Sequence, residues 1–208
     1  MEFVKRYPLV NEKAIFIECI LRNLKSRRQL FEKNDTFILA AQEVYLINKG
    51  TLFQMNLLKE HFLYNYLTAQ DFVVKIDPEK KIKLMAVENG EMIIFSKKEV
   101  FDFLNQEKLL ANFYLTLLEK SYSVTDYLST ASTFSSLDKV KYVLYSIIQH
   151  VEEEPINGFV PLPSWVNKKT IAQISQCSVS IVSKTLKNLE KENLLKIEHE
   201  IWYKHTRL

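Results

Sequence analysis

The chain has 208 residues, 47% of them apolar and 12% aromatic, which suits one large or two modest globular domains and excludes a disordered chain. Two cysteines exclude a disulfide scaffold and a cysteine-ligated iron–sulfur cluster, and no apolar run approaches the roughly 20 residues of a membrane span, so we expect a cytoplasmic protein with no membrane contact. The formal net charge is only +3, but residues 163–208 carry eight Lys and Arg against four Asp and Glu.

Residues 1–96 alternate short apolar runs with turn signals, which predicts a small antiparallel sheet domain. The predicted strands lie in EVYLINKGTLFQM, DFVVKI, KIKLMAV and EMIIFS, and the predicted turns lie at 49–50, 77–81 and 88–90. The earlier stretch AIFIECILRNL, residues 14–24, favours a helix with Ile15, Cys19 and Ile20 on one face.

A single long helix is predicted from Ser96 to Thr130, because this segment contains neither Gly nor Pro and opens with a serine three residues before Glu99. Its apolar positions cover more than one face, so one face would pack on the sheet domain and another on a second copy of the helix. Burial of both faces within one chain is the open alternative. The candidate dimerisation residues are Leu104, Ala111, Leu118 and Tyr122.

The segment IAQISQCSVSIVSKTLKNLEKENLL, residues 171–195, has the pattern of two helices joined by a tight turn. It follows a Ser/Thr-rich hinge at 129–136, an amphipathic stretch at 137–154, and chain breaks from Pro155 to Pro163. Gln176–Ser178 is the predicted turn, and Ser178 is the predicted N-cap of the second helix. Val182, Leu186 and Leu189 would form the inward face of that helix.

The segment around this turn is basic and carries no acidic residue, since residues 166–187 contain four lysines and no Asp or Glu. Such a helix can enter the major groove of DNA without charge repulsion, whereas an acidic helix cannot. An ordinary solvated face is the alternative. The candidate DNA-binding residues here are Lys168, Lys169, Ser178, Val179, Ser180, Ser183, Lys184 and Lys187.

The stretch LLKIEHEIWYKH, residues 194–205, alternates as two short strands with a turn at 199–200. A hairpin in this position would lie beside the sugar–phosphate backbone of bound DNA. Its candidate contacts are Lys196, His199 and Lys204.

These segments together resemble the Crp/Fnr superfamily of transcription regulators, including its PrfA-like branch. The likeness is strongest in the helix–turn–helix segment, TIAQISQCSVSIVSKTLKNLEKENLL. The last strands of the family's β-roll, running into its dimerisation helix, are similar to IKLMAVENGEMIIFSKKEVFDFL. The family's β-roll hairpin is similar to EVYLINKGTL. The resemblance implies an α+β chain with a jelly-roll-like, cyclic-nucleotide-binding-like β-roll over 1–96, a dimerisation helix over 97–130 and a winged helix-turn-helix domain over 137–208.

The chain departs from the family at the sites that bind ligand and read bases. The family's phosphate cassette, a Gly-Glu pair followed by Arg-Ser/Thr, has no counterpart in residues 54–76, so cAMP binding is not expected. Val179 and Ser180 stand where many members have an Arg-Glu pair, and Lys184 takes the place of a third base reader. Val179 would contact a thymine methyl and Ser180 would bond to base edges, which predicts A/T-leaning sites. Gln176 stands where the turn usually has Gly, and a left-handed residue there costs about 1–2 kcal/mol.

The expected function is therefore that of a homodimeric transcription regulator, which binds an inverted-repeat operator through recognition helices about 34 Å apart. Double-stranded DNA and a second copy are the expected partners, and RNA polymerase and an unidentified small-molecule effector are further candidates. No catalytic, cofactor or metal motif is present, so an enzyme is not expected. A module that binds a protein through its winged helix, and a regulator controlled by its own abundance, are the alternatives.

Overall fold

The computed structural model describes residues 12–55, 63–118, 133–148, 155, 157–198 and 201–205. The chain is α+β and divides into two compact units: unit one contains Met1–Leu58 and Asn65–Val124, and unit two contains Lys59–Tyr64 and Thr125–Leu208. The predicted sheet domain and the α-helical segment that follows it therefore belong largely to one unit.

Six helices are described: α1 (Glu12–Asn23), α2 (Lys97–Gln106), α3 (residues 110–118), α4 (Ser136–Ile148), α5 (Lys168–Ser175) and α6 (Val179–Lys191). The strands are β1 (Ser26–Phe31), β2 (Thr36–Ile38), β3 (Glu43–Lys49), β4 (Leu52–Met55), β5 (Leu63–Leu67), β6 (Phe72–Val74), β7 (Lys83–Ala86), β8 (Gly90–Ser96), β9 (Phe159–Pro161), β10 (Leu195–Glu198) and β11 (Ile201–His205).

Two four-stranded sheets form the larger part of unit one, with the strand orders β1-β8-β3-β6 and β2-β7-β4-β5. One apolar cluster joins them, since it combines Tyr45, Ile47 and Ile94 of the first sheet with side chains of the second. Its members from the second sheet are Leu52, Leu67, Leu84 and Ala86. The predicted strands at 43–55, 72–74, 83–86 and 91–96 are confirmed.

The central strands β3 and β8 are buried on both faces, because successive side chains point to opposite sides of a strand. Tyr45 and Ile47 face the second sheet, while Val44 and Leu46 belong to another apolar cluster formed with the helices. That cluster also contains Phe16 and Ile20 of α1. Ile15 is 52% exposed, so the predicted inward face of this helix is wrong by one position: Phe16, not Ile15, pairs with Ile20.

The predicted long helix is interrupted. Ser96 caps α2 as predicted, its side chain accepting a hydrogen bond from the Glu99 amide at 3.4 Å. However, α2 ends at Gln106, and Lys108 has a left-handed φ of 60° before α3 begins at residue 110. The prediction of one uninterrupted helix from Ser96 is therefore wrong at 107–109, and residues 119–130 lie outside the described ranges.

Unit two combines α4, α5 and α6 with a three-stranded antiparallel sheet of order β10-β11-β9. The buried face of α4 carries Val140, Val143, Leu144 and Ile147. The predicted hairpin of β10 and β11 is confirmed, with Leu195 opposite Lys204. Strand β9 was not predicted, because the prolines and Gly158 around it indicate a chain break.

Candidate nucleic-acid interface

The turn between α5 and α6 is fixed by a cap at each helix end. Asn167 caps α5, accepting from the Thr170 amide at 3.0 Å, and Ser178 caps α6, accepting from the Ile181 amide at 3.3 Å. Gln176 adopts the left-handed conformation, with φ 55° and ψ 33°, and its backbone N–H donates to the Ala172 carbonyl. The predicted turn and the predicted Ser178 cap are confirmed.

The inward faces of both helices are apolar. Ile171, Ala172 and Ile174 of α5 are buried, and α6 buries Val182 and Leu186 along with Thr185 and Leu189. The Thr185 hydroxyl donates to the Ile181 carbonyl at 3.0 Å, so the polar residue on this buried face is hydrogen bonded. Within the part of the chain that the structure describes, the opposite side of α6 is exposed.

A stripe of cations runs along the outer side of α6. Ser180, Lys184, Lys187 and Lys191 are all exposed, and their spacing of three and four residues places them on one face of the helix. The first three were predicted from the sequence, whereas Lys191 was not, and it extends the stripe by one turn. Ser183, also nominated, is half-buried beside it.

Two exposed apolar side chains flank Ser180 at the start of α6. Val179 is 48% exposed and Ile181 is 36% exposed. Adjacent residues of an α-helix are about 100° apart around the axis, so these two side chains lie on opposite sides of the stripe. Val179 was nominated from the sequence, whereas Ile181 was not, because an isoleucine beside Val182 looks like part of the inward face.

Lys168 and Lys169 occupy the first turn of α5 and are both exposed. Neither this helix nor the first turn of α6 carries an acidic residue. The surface of α5 and of the first three turns of α6 can therefore attract an anion, and no carboxylate lies on those turns; Glu190 follows in the last turn of α6.

The strands after α6 place their three nominated residues differently. Lys196 is exposed, with its ammonium nitrogen 3.9 Å from Glu198 Oε1 and 4.3 Å from the centre of the Phe159 ring. Lys204 is buried, being only 1% exposed. His199 lies outside the described ranges.

The prediction that Lys204 contacts a phosphate backbone is wrong. Residues directly opposite in antiparallel strands share one face of the sheet, and Lys204 is opposite both Leu195 and Val160, which are buried. Its nitrogen lies 5.5 Å from the centre of the Tyr145 ring on α4. Burial lowers the pKa of this lysine, since the charged form loses its hydration.

Helix α3 of unit one exposes an apolar face. Ala111, Tyr114, Leu115 and Leu118 are exposed and follow the spacing of one helix face, with Leu118 60% exposed. Leu104 is completely buried beside Phe113, so its prediction as a dimerisation residue is wrong. Tyr122 lies outside the described residues.

Among the described residues, no group of three or more His, Cys, Asp or Glu is placed to hold a metal ion. None of the helices in the described ranges is long and apolar enough to cross a bilayer.

Solved structures share this fold. A cyclic nucleotide-binding domain containing protein from Listeria monocytogenes superposes with a TM-score of 0.77 at 12% identity, covering 96% of this chain and 98% of that one. The c-di-GMP-responsive global regulator CLP from Xanthomonas campestris gives 0.72 at 16% identity, covering 92% and 99%. A protein from Eubacterium rectale assigned to the Crp/Fnr family of transcriptional regulators gives 0.61 at 12% identity, covering 96% and 94%.

In sequence, the chain matches no family model and no curated protein. At identities of 12–16%, the likeness to the solved structures shows a common fold.

Proposed function

We propose that this chain is a sequence-specific DNA-binding transcription regulator of the Crp/Fnr type. In this proposal unit two is a winged helix-turn-helix, with α6 as the recognition helix and the β10–β11 hairpin as the wing. Unit one is the β-roll and carries the dimerisation helix. The PrfA-like branch of the superfamily is the placement that the sequence pattern favours.

The observation that carries the proposal is the exposed, acid-free face of α6. Ser180, Lys184 and Lys187 lie on one side of a helix whose other side is fully packed. Such a face presents hydrogen-bond donors to base edges and cations to phosphates. Lys168 and Lys169 add phosphate contacts beside it, and Lys191 continues the stripe.

A homodimer is proposed because α3 exposes an apolar face. A single winged helix reads only one short half-site, whereas a two-fold dimer reads an inverted repeat with half-site centres about 34 Å apart. Ala111, Leu115 and Leu118 are the proposed contacts between the two copies, with Tyr114 beside them.

Independence of cAMP is proposed from the missing phosphate cassette in residues 54–76. A cyclic phosphate needs an arginine or closely approaching backbone amides, and this segment supplies neither the Arg nor the Gly of the cassette. The interior between the two sheets also holds many bulky side chains, among them Tyr45, Phe31 and Met92.

The test is selection of bound sequences from a random duplex pool by the purified, ligand-free protein. The expected result is enrichment of an inverted repeat whose half-site centres are one helical turn apart. Binding of the selected duplex should weaken steeply as salt rises, because several phosphate contacts release counterions. Addition of cAMP should leave the affinity unchanged.

A triple variant, Lys168→Ala/Lys184→Ala/Lys187→Ala, is the control, since all three side chains are exposed and the fold should persist. It should select nothing. Failure of the unaltered protein to bind any duplex at low salt, with or without cAMP, would overturn the proposal. Unit two would then be better explained as a module that binds a protein.

A further inference from the structure

We infer that Val179 and Ile181 recognise the 5-methyl groups of two thymines in each half-site. This inference rests on the proposed function and names the base chemistry that the recognition helix reads. Val179 alone was nominated as a thymine contact from the sequence; the exposure of Ile181 adds a second apolar contact on the other side of Ser180.

The geometry of the first turn of α6 supports this pair of contacts. Val179 and Ile181 are 48% and 36% exposed and lie on either side of the exposed Ser180. The tip of the helix therefore presents a hydroxyl between two branched apolar side chains. In the major groove, thymine is the one standard base that offers an apolar methyl group.

The backbone of Ile181 is fixed by hydrogen bonds before any ligand arrives. The amide of Ile181 donates to Ser178 Oγ at 3.3 Å, and its carbonyl accepts from Thr185 Oγ1 at 3.0 Å. Valine and isoleucine also strongly prefer one χ1 rotamer in a helix. Binding therefore costs these two side chains little conformational entropy, so a contact with a methyl group keeps most of its favourable free energy.

The charges around the pair favour a nucleic acid over a protein as the occupant. Lys184 and Lys187 lie on the same side of α6, and Lys168 and Lys169 lie on α5. No acidic residue falls between positions 166 and 187. An apolar pair surrounded by unopposed cations complements a groove that has methyl groups on its floor and phosphates on its rims.

The first experiment is a parallel selection from two random duplex pools, one made with thymidine and one with deoxyuridine at every thymidine position. Uracil pairs as thymine does and differs in the major groove only by the missing methyl group. We expect an enriched inverted repeat from the thymidine pool and much weaker enrichment of the same repeat from the deoxyuridine pool. Equal enrichment from both pools would overturn the inference and leave the proposed function standing.

The second experiment replaces each thymine of the selected half-site by uracil, one at a time, at fixed salt. Loss of a buried methyl contact should raise Kd about fourfold at each of two positions. Val179→Ala should abolish the effect at one position and Ile181→Ala at the other. Both side chains are exposed, so neither variant should lose the fold, which thermal unfolding checks.

Lys187→Ala is the matched control on the same helix. It should weaken binding of every duplex while leaving both uracil effects intact. If the uracil effects persist unchanged in Val179→Ala and Ile181→Ala, other residues read the methyl groups and the inference is wrong. Complete absence of DNA binding by the unaltered protein would overturn this inference together with the proposed function.

Discussion

The ammonium nitrogen of Lys204 lies 5.5 Å from the centre of the Tyr145 ring, at a position where the lysine is only 1% exposed. A lysine with this degree of burial is a cost to the folded state, because the charge leaves water, and the contact given for it among the described residues is an aromatic face. Its place on the inner face of the hairpin follows from pairing with Leu195 and Val160.

Lys204→Met should therefore stabilise unit two by about 1–2 kcal/mol at pH 7, since methionine keeps the length of the side chain without its charge. Unfolding by urea, followed by tryptophan fluorescence, measures this directly because Trp165 and Trp202 both lie in unit two. DNA binding should be unchanged. A loss of stability would show that the cation makes a stronger contact than the Tyr145 ring.

The stability difference between the unaltered protein and Lys204→Met should depend on pH. The pKa of Lys204 is lowered in the folded state, so the unfolded chain binds its proton more tightly and stability rises with pH through the interval between the lowered pKa and the ordinary value near 10.4. The advantage of Lys204→Met should be largest below that interval and shrink as pH rises through it. Urea unfolding of both proteins at several alkaline pH values tests this.

Gln176→Gly should stabilise unit two by roughly 0.5–1 kcal/mol. The left-handed φ of 55° costs a residue with a side chain about 1–2 kcal/mol, which exceeds the added entropy of glycine in the unfolded chain. The side chain of Gln176 is exposed, so little packing is lost. The same tryptophan-detected unfolding gives the value, and unchanged or lower stability would contradict it.

Lys184→Ala and Lys168→Ala should affect DNA binding in different ways. Lys184 lies on the outer stripe of α6, and its loss should cost about 1–3 kcal/mol on the selected operator while relaxing specificity. Lys168 lies on the first turn of α5, and its loss should weaken all duplexes alike and reduce the salt slope by about one. Titrations of selected and scrambled duplexes at several salt concentrations distinguish them. Equal losses on every sequence for both variants would remove Lys184 from the base readers.

Leu118→Asp should dissociate the proposed dimer without unfolding the chain. Leu118 is 60% exposed, and its replacement places two carboxylates in a two-fold interface, at a cost of about 2–4 kcal/mol per dimer. Sedimentation gives the oligomeric state. Leu104→Ala is the contrasting variant, because Leu104 is fully buried. Removing its side chain should lower the free energy of unfolding by about 2–5 kcal/mol, the usual range for buried leucines, whether or not the chain is dimeric.

Gly90→Ala should destabilise unit one by roughly 1–3 kcal/mol, because the new methyl group would lie 2.1 Å from the Lys49 carbonyl oxygen and 2.5 Å from Cζ of Phe31. Circular dichroism during thermal unfolding detects the loss. Phe31→Leu/Gly90→Ala should lose less than the sum of the two single changes, since the smaller side chain leaves room for the methyl group. Strict additivity would indicate that the clash with the Lys49 carbonyl alone sets the cost.

Local signals explain what the sequence predicted well. The caps Ser96 and Ser178 are confirmed, as is the turn at Gln176, because each depends on side-chain chemistry within three or four residues. The short apolar runs in β3 and β8 are likewise confirmed as strands, because a run of this length bounded by turn residues is a local signal. A local pattern suffices when neighbouring residues decide the structure.

Non-local pairing explains what the sequence did not predict. The face on which Lys204 lies depends on its register with β9 and β10. Strand β9 itself is flanked by prolines, which predict a chain break and not a strand. No Gly or Pro lies near Lys108 that would predict the break in the helix there. Strand β1, SRRQLF, lacks apolar alternation and is defined by its pairing with β8. Leu104 likewise is buried in an apolar cluster that includes Phe113, on the other side of that break.

The close approach of Gly50 and Gly90 to the Phe31 ring couples three positions that are far apart along the chain. A side chain at position 90 would meet both this ring and the Lys49 backbone carbonyl, so it needs a smaller residue at 31 and a shift of the backbone near 49. Among natural relatives, we therefore expect glycine at 90 to be lost only where the residue at 31 is small and the backbone near 49 has also moved. Covariation of this kind would help to identify distant relatives whose overall sequence identity is too low to show common descent.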